Sequence, residues 1–304
     1  MNTLADWAYL AVDKHFKKVL KHEAGVLENK DIEELHQMRV GMRRLRSSID
    51  GFAIVLKLPN KANTIQVGKI ARILGELRDL DVMNEVLQSF VPQIPQQENK
   101  ELESVFKILG TERKRSFKKV KAGLSSGQYL ELKDGFNEWL KSPYYSRMSE
   151  LSITAILPDL LLPQLSRFFL YPTWYLSEVT HDDLKELNEY SESFHSLRKE
   201  AKRLRYNLEL FNEGSSESYQ YYLQEISQIQ TILGNIQDDF ILRQFLKDIL
   251  EVELEKVTPT LADILEKNSL EKWQQWQIQK AKFLSPEFKK ACYQAILGTD
   301  LKIK

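Results

Sequence analysis

What most constrains this chain is that it repeats itself. Displaced by 159 residues, HQMRVGMRRLRSSIDGF (36–52) falls on HSLRKEAKRLRYNLELF (195–211), and ILGELRDLDVMNEVL (73–87) falls on ILGNIQDDFILRQFL (232–246), with no gap. Across 36–87 against 195–246, 12 of 52 positions are identical. Matched leucines arise readily between any two helices. Matched histidine (His36/His195), arginine (Arg39/Arg198, Arg44/Arg203, Arg46/Arg205), glycine (Gly75/Gly234) and aspartate (Asp79/Asp238) at one offset do not. The expectation is an internal duplication: two similar bundles related by a pseudo-twofold, one over 1–145 and the other over 146–304.

The repeated unit reads as helical. Only 12 Gly and 9 Pro occur in 304 residues, too few for an all-β fold built on tight turns. No segment alternates with period two. Apolar spacing predicts helices over about 2–24, 31–56, 62–90, 98–123, 126–141, 182–212 and 217–252, with two more to the C-terminus. Asp31 reads as an N-cap with Glu34 at the capping-box position, and Pro59 and Asn60 stop that helix. Pro143, Pro158, Pro163 and Pro172 punctuate the middle, with the connection between halves around 142–150 and an apolar segment near 151–176. The fold class is all-α.

Lys plus Arg equals Asp plus Glu, 43 each. Zero net charge argues against coating nucleic acid through a broad positive field, and leaves room for a focused basic strip balanced by acidic surfaces. The single cysteine, Cys292, cannot form an intramolecular disulfide and fits a reducing compartment. Asp6, Asp13 and several lysines interrupt the first twenty-odd residues, unlike a secretory signal. No purely apolar run approaches the roughly 20 residues of a spanning helix. A soluble, cytoplasmic chain is expected.

On a helical wheel, His36, Arg39, Arg43 and Arg46 share a strip about 80° wide. Leu35, Met38, Met42, Leu45 and Ile49 occupy the adjacent strip. In the second copy His195, Arg198, Lys202 and Arg205 sit beside Leu197, Ala201, Leu204 and Leu208, with Lys199, Arg203 and Tyr206 widening the basic side. The cations thus border the core stripe instead of opposing it. Like charges at i,i+4 cost a few tenths of a kcal/mol per pair, and 36–46 contains no acid to offset them. A single such run is ordinarily a solvated face. Two copies in the same phase suggest a row of cations for a row of anions, with arginine forks gripping phosphate oxygens. The histidines would gain positive character near phosphate. Asp79 and Asp238 are expected to anchor these arginines from a neighbouring helix.

A second cluster, RKRSFKKVK (113–121), holds six cations in nine residues. Arg113, Arg115, Lys118 and Lys119 either line the same groove or face water, and Arg72 and Arg78 are further candidates. Lys14, Lys17, Lys18 and Lys21 stack on the first helix, mostly towards water, with Lys18 a possible addition to the groove.

The motifs HQMRVGMRRLR, LGELRDLDV, HSLRKEAKRLRY and LGNIQDD, in that order, resemble the CHAD family, the conserved-histidine α-helical domain, over essentially the whole chain. The resemblance implies two four-helix bundles around a central basic pocket or channel that binds inorganic polyphosphate, with association with polyphosphate granules in some members. Carried over by motif position, the ligand-facing residues are His36, Arg39, Arg43, Arg44 and Arg46, then His195, Arg198, Lys199, Lys202, Arg203, Arg205 and Tyr206. Members are often fused to a triphosphate-tunnel enzyme domain, which this sequence has no room for. Arg78 has no basic counterpart, since NIQDDF stands where the first copy has ELRDLDV.

Catalysis finds little support. There is no GxxxxGK[ST] loop, no HExxH or Cys/His cluster, and no GxSxG elbow. Asp79, Asp81, Asp238 and Asp239 are the only carboxylates placed to hold Mg²⁺ for phosphoryl transfer. No cofactor or metal is expected. The reading is a non-enzymatic polyphosphate binder; the alternative is a helical scaffold or an RNA or other polyanion binder using the same groove. The basic strips lack the interleaved aromatic rings on which single strands stack, Tyr206 excepted.

Overall fold

The computed structural model describes residues 3–176, 188–299 and 301. Among them are eleven α-helices and no strands; the pairings of Thr3 with Ser152 and of Leu56 with Tyr145 are isolated bridges. The helices are α1 (Leu4–Glu28), α2 (Ile32–Gly51), α3 (Thr64–Phe90), α4 (Gln96–Leu124), α5 (Gly127–Lys141), α6 (Ile153–Phe169), α7 (Asn188–Glu209), α8 (Glu217–Leu250), α9 (Leu254–Val257), α10 (Pro259–Leu284) and α11 (Pro286–Leu297). The chain divides into two compact units, Met1–Gln93 with Glu103–Ile153 and Ile94–Leu102 with Thr154–Lys304.

Local chemistry sets the boundaries. Thr3 starts α1 with a reciprocal capping box to Asp6, and Asn29 ends it in the left-handed region at φ 52°. Asp31 caps α2 by accepting from the Glu33 amide. The expected box partner Glu34 instead takes His22 Nδ1 at 2.8 Å, tying α2 to α1. Serines at 126, 216 and 285 cap α5, α8 and α11.

The second helix ends at Gly51, short of the expected Leu56. Phe52 and Val55 are fully buried, and the chain there pairs with 144–146 through Lys57 N to Tyr144 O (3.3 Å) and Ser146 N to Val55 O (2.9 Å). Those partners are remote in sequence, so helical periodicity does not reveal them. The start expected near 182 lies outside the described residues, as does residue 2 of the first helix.

In the first unit α1 packs on α2, α2 on α3, and α5 on α1 and α3. Trp7, Val12, Phe16 and Val19 of α1 and Met38, Met42 and Leu45 of α2 are buried, with Phe16 against Phe136 at 5.1 Å. Each such side chain contributes roughly 1.5–3 kcal/mol by leaving water. In the second unit α7 and α10 pack on α8 around an aromatic centre. Trp174 stacks on Trp276 (5.0 Å) and Phe283 (5.4 Å), and Phe194 meets Trp276 edge-on at 5.3 Å.

Helix α6 runs through both Pro158 and Pro163. The stretch Ile153–Tyr175 is long and apolar enough, by length and composition, to cross a membrane. Leu157, Leu161, Leu165 and Phe168 are nevertheless fully buried, the spacing of a core helix. The first turns of α4 also join the second unit: Glu98, 6 % exposed, accepts the Thr260 and Leu261 amides at 3.1 Å each, capping α10. Ile94 and Leu102 flank it, both buried.

Candidate functional site: matched basic strips

Helix α2 carries its two stripes as the spacing implies. Leu35, Met38, Met42, Leu45 and Ile49 are buried, while His36, Arg39, Arg43 and Arg44 are part-buried beside them and Arg46 is exposed. What holds the arginines in place is the facing helix α3. Arg39 lies across Gly75, where an added Cβ would meet its Nε at 3.4 Å, and its Nη2 is 3.6 Å from Asp79 Oδ1. Arg46 lies across Gly68, where a Cβ would meet Nη1 at 3.3 Å.

The second unit repeats the arrangement at the same offset. Arg198 of α7 lies across Gly234 of α8, with 3.4 Å from a Cβ there to Nε, and its Nη2 is 3.6 Å from Asp238 Oδ1. Arg205 donates from Nη1 to Ser227 Oγ at 3.4 Å, and Ser227 is the counterpart of Gly68. Small residues seven apart on α3 and α8 therefore make the slots for arginines seven apart on α2 and α7. Residues 68 and 227 were not singled out from sequence; the signal available was a second small pair, two turns before the repeated LG.

Both aspartate contacts exceed hydrogen-bond length, and Asp79 and Asp238 are 73 % and 58 % exposed. Ion pairs this open are worth about 0–1 kcal/mol. They orient the guanidiniums without consuming their donors.

Burial, joined by nearby Arg78, Arg43 and Arg39, holds His36 below the ordinary histidine range against the opposing pull of Glu33. Burial, with Lys199, Arg198 and Lys202, does the same to His195. Both histidines thus favour the neutral form in the free protein. Lys18 of α1 joins the first strip: burial and then Arg44 push its ammonium below the usual range. Lys14 and Lys21 are exposed, and Lys17 is exposed and paired with Asp13 at 2.8 Å.

The units differ at their outer end. Arg46 is 53 % exposed and reaches Asp50 only at 3.9 Å. Arg205 is 15 % exposed, 3.3 Å from Glu209, and set over the Tyr206 ring at 4.8 Å. Tyr206 itself, 5 % exposed, is a core residue and a platform for Arg205, which corrects its expected place among ligand-facing groups. Lys199 and Arg203 are exposed and Lys202 part-buried.

The additional candidates separate. Arg78 sits by His36, 17 % exposed and bound to Glu85 at 3.1 Å. Arg72 is exposed on α3. Arg113 belongs to the framework: its Nε donates to buried Asp81 at 2.6 Å and both Nη atoms donate to Asn29 Oδ1 at 3.2 Å. Lys119 pairs with Glu76 (3.4 Å) and Arg115 with Glu112 (3.8 Å), while Lys118 is exposed. The aspartates considered for Mg²⁺ part company as well. Asp81 is tied to Arg113, and Asp239 to Lys272 and Ser269.

A family model, the CHAD domain, matches residues 10–247, which includes both strips. This chain belongs to the CHAD domain family. Two solved structures share the CHAD fold seen here. The crystal structure of the CHAD domain from the plant Ricinus communis is 22 % identical with a TM-score of 0.64, covering 99 % of this chain and 95 % of that one. PptA from Streptomyces chartreusis is 11 % identical with a TM-score of 0.64, covering 96 % and 99 %. No curated protein matches by sequence.

Proposed function

We propose that this CHAD protein binds inorganic polyphosphate, without catalysis, through the strips on α2 and α7, and that it associates with polyphosphate granules in the cytoplasm. The observation that carries the reading is the recurrence in each unit of one device. An arginine is laid over a glycine, steadied by a single exposed aspartate, and set beside a neutral histidine and further cations. Its donors stay open and its position is fixed in advance, which suits a row of phosphates better than a solvated face does.

The test is retention of long-chain polyphosphate by wild type and by R39E/R198E, with salt titration. Wild type is expected to lose affinity steeply as salt rises, through release of counterions, and the folded double variant to retain none. Unchanged retention by that variant sinks the proposal. Incubation with labelled polyphosphate and Mg²⁺ is expected to leave chain length intact and the protein unlabelled; shortening or labelling refutes the non-catalytic part. Displacement by RNA at equal phosphate concentration removes the specificity for polyphosphate.

A further inference from the structure

Helix α4 holds a charge pattern the strips on α2 and α7 do not use. Between 107 and 121 it has seven cations and one acid, in a chain of zero net charge. Arg113 and Lys119 are neutralised by Asp81 and Glu76 of α3, and Arg115 by Glu112. The other four, Lys107, Lys114, Lys118 and Lys121, are all exposed and make no ion pair among the described residues. At 100° per residue they fall within about 60° of one another, on a line roughly 21 Å long. The spacings 114/118 and 118/121 place like charges one turn apart, which costs helix stability a few tenths of a kcal/mol each. No ion pair among the described residues offsets that cost, and only Lys121, in the last turn of α4, gains from the helix dipole.

We infer that this lysine line is a second polyanion track, engaged only by polyphosphate long enough to reach it from the α2 strip; the inference rests on the polyphosphate reading above. The placement within the first unit supports two contact regions. On α3, Gly68 and Gly75 lie under Arg46 and Arg39, whereas Glu76 and Asp81 hold α4. Glu76 and Asp81 thus anchor α4 from faces of α3 other than the one bearing Gly68 and Gly75, and Arg113 of α4 reaches Asn29 at the end of α1 rather than the strip itself. The chemistry differs too. Lysine is a hydrated point charge on a flexible stem, suited to a moving anionic chain, where arginine's fork suits a fixed one. The line contains no aromatic side chain for a base to stack on, and no apolar one to enter a bilayer.

The test compares tripolyphosphate with long-chain polyphosphate on wild type, K107Q/K114Q/K118Q/K121Q, and a variant with arginine at the same four positions. Glutamine keeps helix propensity, and circular dichroism checks the fold. The expected result is unchanged tripolyphosphate affinity. Long-chain affinity falls tenfold or more in the glutamine variant, with a salt slope shallower by about 3. The arginine variant keeps both. Equal long-chain affinity in wild type and the glutamine variant overturns the track, as does an equal loss for both ligands. A wild type that binds neither ligand overturns the polyphosphate reading and the track with it. If RNA competes for wild type but not for the glutamine variant, the line belongs to nucleic acid and the proposal fails.

Discussion

The glycine slots make opposite claims on stability and binding, and can be tested by size. Gly75 and Gly234 sit within long helices, where glycine costs about 0.8–1.0 kcal/mol relative to alanine. A methyl group at either position meets nothing nearer than the arginine Nε at 3.4 Å, an ordinary contact. The sites lie in different units, so G75A/G234A should gain close to the sum, roughly 1.5–2 kcal/mol. At about 2–4 °C per kcal/mol, the melting temperature rises by roughly 3–8 °C. The guanidiniums stay in place, and polyphosphate affinity holds within about threefold, under 1 kcal/mol. Leucine reverses the second outcome. Its Cγ reaches a further ~1.5 Å into the space the guanidinium occupies, so Arg39 and Arg198 must leave their aspartates. G75L/G234L should stay helical while affinity drops about tenfold or more, at least 1.4 kcal/mol. Thermal melts followed at far-ultraviolet wavelengths, paired with titration calorimetry, read both quantities. An alanine pair that melts lower, or a leucine pair that binds like wild type, would falsify the slot.

The histidines give a pH signature of two signs. Their depressed folded values mean the unfolded chain binds more protons below about pH 6.5, so stability of the free protein falls as pH drops through that range. Phosphates beside them favour the imidazolium, so polyphosphate affinity rises over the same interval; calorimetry in two buffers should show proton uptake, absent in H36N/H195N. The outer arginines are unequal: R205Q is expected to cost about 1 kcal/mol in urea melts through its lost ring contact and ion pair, and R46Q close to nothing, and equal costs would contradict the asymmetry. D81A strips Arg113 of its buried partner and is expected to destabilise by about 1–3 kcal/mol, reduced by the partial exposure of Arg113; a neutral effect in a denaturant melt refutes the framework role.

Periodicity carried much of this architecture. The core and basic stripes of α2, the Asp31 cap, and most helix limits follow from spacing and end chemistry, which act within a few residues. The features that escaped depend on distant partners. Helix α2 stops early because Val55 and Lys57 pair with 144–146, and Glu34 leaves the capping box because His22 reaches it. Tyr206 shares the basic side of the wheel with its neighbours, yet it is buried under Arg205. For Arg113 the sequence leaves groove and water equally open, and the structure gives neither: Asp81 and Asn29 hold it. Charge runs read from sequence do not distinguish framework cations from available ones, because the deciding carboxylates lie on other helices.

The short piece 94–102 has a consequence for how such a protein can be divided. A fragment severed at the boundary the sequence suggests, starting at 146, would expose the first amides of α10 and lose the buried Ile94 and Leu102. Its complement would carry those two side chains with nowhere to bury them. One cut near 146 therefore does not free the second unit: as a free-standing module it also needs the nine-residue strap 94–102, supplied in trans or by a redrawn fragment.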